Sequence, residues 1–307
     1  MKKILIIANP VSGGFIGLPR LEQIKSYFSN NGIYSEIYLT QNKNSAIEYC
    51  RGRLDEFTGF VAAGGDGLIN EVSQIAKFKT ISLGIIPSGT ANVLANEFKI
   101  PQHDILKCAE IILNGKEKEL DCWLANERIF LLMLSGGIDS AAVENVNLSL
   151  KKYSGKFAYF FSFLKEFFKF KLTDYQIKII SDKISENKNT NTVNKPEIAT
   201  NQFFVSNIEK YAGNFKLNHS KNYNDGLIEL IFFKSASRLK YLKFCYYLFS
   251  GKNPEQLDFI KSVKAGELEI IGKIPYPLEF DGESGLKTPV AIKLNEHKIL
   301  LKIPYLN

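Results

Sequence analysis

The chain has 307 residues, which is enough for two domains of ordinary size. Hydrophobic residues make up 45% and charged residues 23%, a composition that excludes a disordered or fibrous protein. The formal net charge of +7 predicts a polyanionic partner such as nucleotide phosphates, anionic lipid headgroups or nucleic acid. The lysines are scattered rather than gathered in an arginine-rich arm, which argues against nucleic acid.

The spacing of the cysteines and the length of the apolar runs predict the cellular compartment. No C-x-x-C pair and no neighbouring histidine accompanies Cys50, Cys108, Cys122 or Cys245, so we expect free thiols in a reducing cytosol. The apolar run at the N-terminus is too short for a signal peptide and predicts a buried strand. Charged residues interrupt the most apolar later stretch, residues 157–172, so no segment reaches the roughly 18 uninterrupted apolar residues of a spanning helix. We therefore expect a cytoplasmic protein.

Up to about residue 120, short apolar runs alternate with helical periods, which is typical of a parallel sheet with crossover helices. The predicted strands are Lys3–Ala8, Tyr34–Leu39, Gly59–Ala63 and Ile81–Ile86. Apolar spacing predicts helices around residues 21–28 and 68–76, and Asp104 is predicted to cap a further helix that ends at Gly115. Residues 1–120 are thus predicted to form a Rossmann-like α/β domain.

After Glu119 strands follow one another, and their alternating pattern predicts an antiparallel β-sandwich over residues 121–289. The predicted strands are Leu120–Ala125, Ile129–Leu134, Tyr175–Ile180, Gln202–Ser206, Leu227–Phe232, Glu267–Ile271 and Val290–Ile303. The polar tract Ser185–Asn194 is predicted to be a loop without a packing role.

Glycine turns follow the first, third and fourth predicted strands. They are Asn9-Pro10-Val11-Ser12-Gly13-Gly14, Gly64-Gly65-Asp66-Gly67 and Pro87-Ser88-Gly89-Thr90-Ala91-Asn92. Strand ends and helix N-termini present backbone N–H groups, which suit phosphate. The first turn alone is more typical of a structural turn than of a site, and the second alone is equally compatible with either role, but two such turns on adjacent strands predict a phosphate cradle. Neither a Walker loop nor G-x-G-x-x-G is present.

Polar residues elsewhere suggest further site positions. Asn70 and Glu71 place a polar face one turn into the helix after Gly67. In the second half, Asn222, Asp225 and Leu227 surround an Asp-Gly turn, and a second such turn is Asp281-Gly282-Glu283. Each alone is typical of a hairpin, although oxygen-rich turns also hold magnesium. Three dispersed histidines give little support to triad hydrolysis or histidine-metal chemistry.

The order of these five motifs resembles the diacylglycerol kinase catalytic-domain family, which includes soluble bacterial diacylglycerol kinases and the sphingosine and ceramide kinases. The resemblance covers almost the whole chain. It implies an N-terminal Rossmann-like α/β nucleotide domain, an all-β C-terminal sandwich and an active site in the cleft between them. It also implies that residues 290–307 return to the first domain.

The resemblance implies roles for individual residues, with ATP and Mg²⁺ as cofactors. The residues that it and the turns assign to ATP are Asn9, Pro10, Ser12, Gly13, Thr40, Gly64, Gly65, Asp66, Gly67, Asn70, Glu71, Ser88, Gly89, Thr90 and Asn92. The residues that match a structural magnesium position are Asn222, Asp225 and the carbonyl of Leu227.

Three acids compete as the group that accepts the proton of a lipid hydroxyl: Asp66, Asp281 and Glu283. Such a carboxylate must lie within hydrogen-bond reach of the hydroxyl as the bond to phosphorus forms. Asp66 lies in the phosphate turn, where an acid is better placed to organise a magnesium network. Asp281 and Glu283 lie in the domain expected to present the lipid. We therefore predict Glu283 as the base, with Asp281 as its alternative.

The acceptor lipid stays open, because Val93 follows Asn92 where bacterial diacylglycerol kinases often carry Asp. The run Asn92–Glu97 is closer to the long-chain-base kinases, so both diacylglycerol and a long-chain base are considered. The alternatives are a nicotinamide-dinucleotide kinase, which shares the G-G-D-G turn, and a non-catalytic lipid-binding module. A homodimer is compatible with the sequence.

Two segments mix aromatic residues with lysines and predict contact with anionic lipid headgroups at a membrane surface. They are residues 156–171 and Tyr241–Lys252. The alternative for each is an amphipathic helix that covers the sandwich.

Overall fold

The computed structural model describes residues 3–11, 15–144, 167–169, 173–181, 196–211, 215–217 and 222–305. The chain divides into two compact units. The first unit combines Met1–Cys122 with Asn295–Asn307, and the second unit is Trp123–Leu294. None of the described helices is long and apolar enough to cross a bilayer.

The first unit is built on a sheet that contains six strands in the described part of the chain. These are β1 (Lys3–Ala8), β2 (Tyr34–Leu39), β3 (Gly59–Gly64), β4 (Ile81–Pro87), β5 (Lys116–Leu120) and the last strand of the chain, β20 (Ile299–Ile303). Their order is β2-β1-β3-β4-β20-β5, with parallel pairs up to β20 and an antiparallel β5. The α/β first domain predicted from the sequence is confirmed.

Helices connect these strands. Their bounds are α1 (Leu18–Asn30), α2 (Ser45–Cys50), α3 (Asp66–Ser73), α4 (Val93–Glu97) and α5 (Ile105–Asn114), with short 3-10 helices at Leu54–Glu56 and Gln74–Lys77. Helix α1 buries Leu21, Ile24 and Phe28, the residues whose spacing predicted it. Helix α5 begins where the Asp104 carboxylate accepts a hydrogen bond from the Lys107 N–H at 2.9 Å.

The sheet order determines where a ligand can bind in the first unit. Strand β1 is followed by β2 on one side of it, whereas its other neighbour β3 is followed by β4 in the opposite direction along the sheet. Such a switch point opens a crevice at the carboxyl ends of the strands. The residues that follow β1 to β4 therefore lie at the edge where α/β proteins bind their ligands.

Within the described residues, the second unit holds two six-stranded antiparallel sheets, in the orders β10-β9-β16-β19-β6-β7 and β15-β14-β11-β8-β17-β18. Their strands are β6 (Trp123–Ala125), β7 (Arg128–Phe130), β8 (Met133–Gly136), β9 (Tyr175–Ser181), β10 (Glu197–Thr200), β11 (Phe203–Ser206), β14 (Ile228–Phe233), β15 (Ile260–Ala265), β16 (Glu267–Gly272), β17 (Pro277–Phe280), β18 (Glu283–Lys287) and β19 (Val290–Leu294). A small ribbon pairs β12 (Lys210–Tyr211) with β13 (Phe215–Lys216). The predicted all-β sandwich is confirmed.

Helices cover part of the second sheet. They are α6 (Ile138–Glu144), α7 (Arg238–Phe249) and a 3-10 helix at Pro254–Gln256. The strands of this sheet bury residues on both faces. Phe203 and Val205 of β11 face the core between the sheets, whereas Phe204 belongs to a second core with Tyr241 and Phe244 of α7. Two apolar layers therefore stabilise the second unit.

The predicted final strand Val290–Ile303 was wrong, because the structure divides it into β19 and β20. Asn295 ends the first of them: its N–H donates to the Cys122 carbonyl at 2.8 Å and its side-chain amide donates to the Ala76 carbonyl at 2.9 Å. The return to the first unit consequently begins at Asn295 and not at residue 290.

Other boundaries also differ from the predictions. The predicted strand Leu120–Ala125 covers the end of β5 and the whole of β6, which belong to different sheets. The predicted strand Ile129–Leu134 likewise covers parts of β7 and β8, which belong to different sheets. Strands β10, β12, β13, β15, β17 and β18 were not predicted. The loop prediction for Ser185–Asn194 lies outside the described residues, as does most of the predicted lipid-contact segment 156–171.

Candidate active site

The carboxyl edge of the first sheet brings predicted site residues from four strands together. Asn9 follows β1, Thr40 follows β2, Gly64 ends β3, and Ser88 follows β4. The Thr40 N–H donates to the carbonyl of Ala8 at 2.9 Å, which continues the pairing of β1 with β2. Ser12 and Gly13 lie outside the described residues. Their role remains a prediction.

The turn after β1 is held by its own asparagine. The Asn9 side-chain oxygen accepts a hydrogen bond from the Val11 N–H at 3.0 Å, and Pro10 lies within this turn. An Asx turn of this kind directs the chain away from the end of the strand. This hydrogen bond within the turn accounts for the positions of Asn9 and Pro10. Their contact with a nucleotide stays a prediction.

The glycine turns after β3 and β4 touch each other. The Ser88 N–H donates to the Gly64 carbonyl at 3.0 Å. A Cβ on Gly89 would lie 2.5 Å from the Cα of Gly65, and a Cβ on Gly65 would lie 3.0 Å from the Cα of Gly89. Contacts this short leave no room for a side chain. The two turns therefore form one surface of backbone atoms.

Asn92 holds the second of these turns. Its side-chain oxygen accepts from the Gly89 N–H, and its amide donates to the Gly89 carbonyl and to Gln102, each at 2.9 Å. Asn92 has a φ of 45°, in the left-handed region that asparagine tolerates better than most residues. Asn92 thus shapes the turn, while Thr90 beside it is exposed.

The Asp66 carboxylate links the first glycine turn to helix α4. It accepts a hydrogen bond from the Leu94 N–H at 3.4 Å and also interacts with the N–H groups of Asn92 and Val93. Burial raises the pKa of Asp66, and these N–H groups oppose that shift. The observed role of Asp66 is to cap α4 and to hold the two turns together.

Two features of this surface suit a phosphate group. The N-terminus of α3 lies in the first of these turns and carries the partial positive charge of a helix start, although the Leu68 N–H already donates to the Gly65 carbonyl at 3.0 Å. The Ser88 hydroxyl oxygen is buried and has no hydrogen-bond partner among the described residues. A buried hydroxyl without a partner is unfavourable, so a ligand oxygen at this place would stabilise it.

Asn70 and Glu71 are engaged within the first unit. The buried Asn70 side chain accepts from the Gln74 amide at 3.2 Å. Glu71 accepts from the Ala46 N–H at 3.1 Å, which supports the start of α2. Both residues therefore have structural contacts, and their predicted role at the nucleotide stays a prediction.

In the second unit, the Asp281 carboxylate binds backbone amides. It accepts from the N–H groups of Leu131 and Leu132 at 2.8 Å and of Met133 at 3.1 Å. The Asp281 N–H donates to the Met133 carbonyl at 2.9 Å, and its φ is 48°. Asp281 is buried and connects the β17–β18 turn to the chain between β7 and β8. Its carboxylate is thus poorly available for proton transfer.

Glu283 lies in different surroundings at the start of β18. Its Oε2 is 2.7 Å from a guanidinium nitrogen of Arg128, and both side chains are partly exposed. The guanidinium of Arg128 also lies 4.3 Å from the centroid of the Phe280 ring. These contacts orient the Glu283 carboxylate while leaving it accessible.

Glu279, in strand β17 just before this turn, is a buried glutamate that was not predicted. Glu279 accepts from the Ser135 hydroxyl at 2.8 Å and from the Gly282 N–H at 2.6 Å. Burial raises the pKa of Glu279 to about 8. Its sequence signal is an acid within the otherwise apolar strand β17, two residues before Asp281.

A second buried carboxylate, also not predicted, is Asp139 at the start of α6. It accepts from the Gln202 amide at 2.7 Å and from the Tyr241 hydroxyl at 2.8 Å, and it also binds the Tyr211 hydroxyl. Burial raises the pKa of Asp139. Since its hydrogen bonds join α6 to the residue before β11, to β12 and to α7, this carboxylate stabilises the second core.

The predicted magnesium position lies in the chain before β14. Asp225 accepts from the Leu227 N–H at 3.1 Å, and its other oxygen lies 3.5 Å from the Lys264 ammonium. The donors of Asn222, Asp225 and the Leu227 carbonyl are all oxygens, which is the chemistry that Mg²⁺ prefers. The chemistry of these ligand atoms is compatible with magnesium, and the metal site itself stays a prediction. No cluster of three or more His, Cys, Asp or Glu residues suited to a metal occurs in the described residues.

Comparison with known families matches both parts of the chain. The diacylglycerol kinase catalytic domain matches residues 3–125, and the YegS C-terminal NAD kinase beta sandwich-like domain matches residues 133–301. A diacylglycerol kinase of Bacillus subtilis is 28% identical over 94% of this chain and 92% of its own length. A diacylglycerol kinase of Staphylococcus carnosus is 27% identical over 96% and 94%, respectively.

Solved structures share the fold. The crystal structure of a diacylglycerol kinase from Bacillus anthracis superposes with a TM-score of 0.75, is 23% identical and covers 97% of this chain and 96% of its own. Another structure from that organism gives a TM-score of 0.78 with 23% identity, covering 97% and 95%. The order of motifs and domains agrees with these matches. The chain belongs to the diacylglycerol kinase catalytic-domain family.

Proposed function

We propose that the protein transfers the γ-phosphoryl group of ATP to the hydroxyl of diacylglycerol. The observation that carries the proposal is the paired glycine turns after β3 and β4, with the N-terminus of α3 and the buried Ser88 hydroxyl beside them. Membership of the family supports a lipid kinase over the nicotinamide-dinucleotide kinase alternative. The proposal places the protein in the cytoplasm, where ATP is available.

In the proposed reaction the first unit binds the phosphates. Backbone N–H groups of the two turns, other than those of Ser88 and Gly89 that already bind protein acceptors, donate to phosphate oxygens, and the Ser88 hydroxyl supplies a further donor. Asp66 and Asn92 keep the turns in place, so little reorganisation accompanies binding. Fixed donors of this kind stabilise the charge of a phosphoryl group during transfer.

Magnesium has two proposed places. It accompanies ATP as the Mg·ATP substrate, and the oxygens of Asn222, Asp225 and Leu227 would hold a structural ion. When bound, Mg²⁺ supplies positive charge that neutralises carboxylate and phosphate oxygens. The residues of the chain then perform the positioning and the proton transfer.

We assign Glu283 as the proton acceptor. The lipid hydroxyl oxygen forms a bond to the γ-phosphorus as the bond to the bridging β-γ oxygen breaks, and ADP leaves. The Glu283 carboxylate takes the hydroxyl proton as that bond forms. Arg128 orients Glu283, while Asp281 and Glu279 hold the turn on which Glu283 stands.

The acceptor is tested by incubating the purified protein with Mg·ATP and diacylglycerol, sphingosine, ceramide or NAD, followed by mass spectrometry. We expect phosphatidic acid from diacylglycerol, with turnover at least about a hundredfold lower in a Glu283→Gln variant. Preferential phosphorylation of sphingosine or ceramide would support lipid kinase activity but reject diacylglycerol as the acceptor. Phosphorylation of NAD alone, or of none of the four, would reject the proposed function.

The nucleotide surface is tested separately with Ser88→Ala. Because the Ser88 hydroxyl has no partner among the described residues, its removal should not lower the thermal midpoint of unfolding. ATP affinity in calorimetry should fall by about fivefold, as expected for the loss of one hydrogen bond. Unchanged ATP affinity would remove Ser88 from the nucleotide site.

A further inference from the structure

Helix α7 carries large apolar side chains on two opposite faces. Tyr241, Phe244 and Leu248 are buried in the second core. The residues that we call the α7 outer stripe are Leu239, Leu242, Tyr246 and Phe249, which are 79%, 50%, 58% and 71% exposed. Spacings of three, four and three residues place them on one face. A helix that is apolar on both faces is expected to have both faces covered.

A residue from another part of the chain extends this apolar surface. The guanidinium of Arg238, at the start of α7, donates to the Phe168 carbonyl at 2.6 Å. The neighbouring Phe167 ring packs 6.5 Å from the ring of Tyr241. Phe168 itself is 66% exposed. The α7 outer stripe and Phe168 together expose five large apolar groups, and exposed patches of this kind mark interaction surfaces.

The charged side chains beside the α7 outer stripe are basic. No Asp or Glu occurs between Arg238 and Lys252. Lys240, Lys243 and Lys252 form no ion pair with the residues that the structure describes, whereas Lys264, Lys273 and other lysines of the same unit do. At 100° per residue, Lys243 and Lys240 lie on one flank of the stripe and Arg238 on the other.

Aromatic and basic groups are also in contact at the C-terminal end of α7. The Lys252 ammonium lies 5.3 Å from the centroid of the Tyr246 ring and 5.6 Å from that of Tyr247. Rings with one apolar and one polar end, next to lysines, are typical of the boundary between headgroups and acyl chains. This arrangement favours a lipid surface as the partner.

We propose that the α7 outer stripe docks the protein on the surface of an anionic phospholipid bilayer. The apolar side chains enter the boundary between headgroups and acyl chains, and the flanking lysines contact anionic headgroups. A second copy of this chain fits the stripe less well, because symmetric pairing would bring lysines against lysines. The choice of a bilayer rests on the proposed function, since the acceptor would be a membrane lipid.

The test compares full-length variants for sedimentation with vesicles of phosphatidylcholine alone or with 30% phosphatidylglycerol. Leu239→Ser with Phe249→Ser removes apolar groups from the stripe, and Lys243→Glu reverses a flanking charge. Matched controls in the same unit are Ile274→Ser, at a side chain that is 61% exposed, and Lys261→Glu. Each variant is also assayed on a short-chain, water-soluble diacylglycerol, and its oligomeric state is measured by size-exclusion chromatography.

We expect the native chain to bind the anionic vesicles and to be released by salt. The double variant should bind about a hundredfold less, since each large apolar side chain withdrawn from water contributes a factor of about ten. Lys243→Glu should bind several-fold less, and both controls should bind normally. Activity on the short-chain acceptor should be unchanged in all of them.

Several results would overturn the proposal: no binding of the native chain to anionic vesicles, equal binding by the stripe variants, or equal losses in the controls. A stripe substitution that changes the oligomeric state without changing vesicle binding would assign the surface to a second copy instead. If vesicle binding depends on the stripe but no lipid is phosphorylated, the docking surface stands and the proposed function fails.

Discussion

Asp281 and Glu283 are two positions apart on one turn, but their surroundings give them different chemistry. Both oxygens of the buried Asp281 accept backbone N–H groups. Glu283 binds the Arg128 guanidinium and remains partly exposed. Taking a proton would weaken the hydrogen bonds that Asp281 already accepts from these N–H groups, so its carboxylate is engaged in holding the backbone. The geometry therefore gives Asp281 a structural role and leaves Glu283 as the proposed proton acceptor.

Substitution of these two acids should separate the roles. Glu283→Gln should lower kcat about 10² to 10⁴-fold with little change in ATP affinity, as expected for loss of a general base. Asp281→Asn presents an amide nitrogen to backbone N–H groups and should cost about 1–3 kcal/mol of stability. Steady-state kinetics and thermal unfolding measure both effects. Near-normal turnover of both variants would mean that the proton goes elsewhere.

Glu279 should make stability depend on pH. Burial raises its pKa to about 8 in the folded protein, against an ordinary value of 4.5. Between these two values the folded protein keeps a proton that the unfolded chain has lost, so stability should fall as the pH rises from about 4.5 to about 8. The stabilisation that comes from the Glu279 carboxyl is fully present below pH 4.5 and lost above about pH 8.

Glu279→Gln should remove that dependence. Glutamine can accept from the Gly282 N–H and donate to Ser135 without a charge, so the variant should be more stable than the native chain at pH 9 and similar at pH 5. The midpoints of thermal unfolding at pH 5 and at pH 9 measure this difference. The exposed Glu197→Gln serves as the control and should leave the slope unchanged. Parallel slopes for Glu279→Gln and the native chain would contradict the assignment.

At the scale of elements, the pairing of the two glycine turns should be sensitive to a single methyl group. In Gly89→Ala the new Cβ would lie 2.5 Å from Gly65 Cα, which forces the turns apart. Since several N–H donors then lose their alignment, ATP affinity in calorimetry should fall by about tenfold or more.

The matched control is Gly59→Ala, in strand β3 of the same sheet. A Cβ there meets its nearest atom at an ordinary 3.7 Å, so ATP affinity should stay at the native value. An equal loss in both variants would show that alanine disturbs the sheet in general. Native affinity in Gly89→Ala would show that the contact between the turns has no role in binding.

The elements that could be predicted from the sequence are those with strong local patterns. Strands β1 to β4 are short apolar runs, and α1 has regular apolar spacing. Strands β17 and β18 lack such a pattern. Strand β17 has four residues and begins with proline, and β18 contains Ser and Gly. Their strand conformation therefore depends on the pairing of β17 with β8 and of β18 with β17.

The candidate site could also be predicted only in part. Motif order placed the glycine turns at strand ends, and the sheet brings them to one edge. The role of Asp281 was not predictable, because its partners Leu131 to Met133 are about 150 residues away in the chain. The burial of Glu279 likewise depends on Ser135, a partner that only the paired strands bring close.

At the scale of the whole molecule, the last strand joins distant parts of the sequence. Strand β20 lies between β4 and β5 in the first sheet, and its residues Ile299 and Leu301 are fully buried. Each buried side chain of this kind contributes about 1.5–3 kcal/mol. The first unit is therefore completed by residues that follow the entire second unit.

A chain that ends at Leu294 should lose the first unit and keep the second. Without β20 the first sheet lacks its connection to β5, so limited proteolysis should digest residues 1–122 rapidly and leave a fragment from about Trp123. A chain that ends at Ile303 retains β20 and is the control, with native resistance expected. Equal protection of both units in the shorter chain would contradict this dependence.

The late position of β20 also affects how the protein forms during synthesis. The ribosome releases β4 and β5 long before β20, so both present unpaired backbone edges while the second unit is made and folds. Such open edges can pair with other chains. During synthesis, the sheet that carries the glycine turns therefore stays incomplete until β20 follows the entire second unit out of the ribosome.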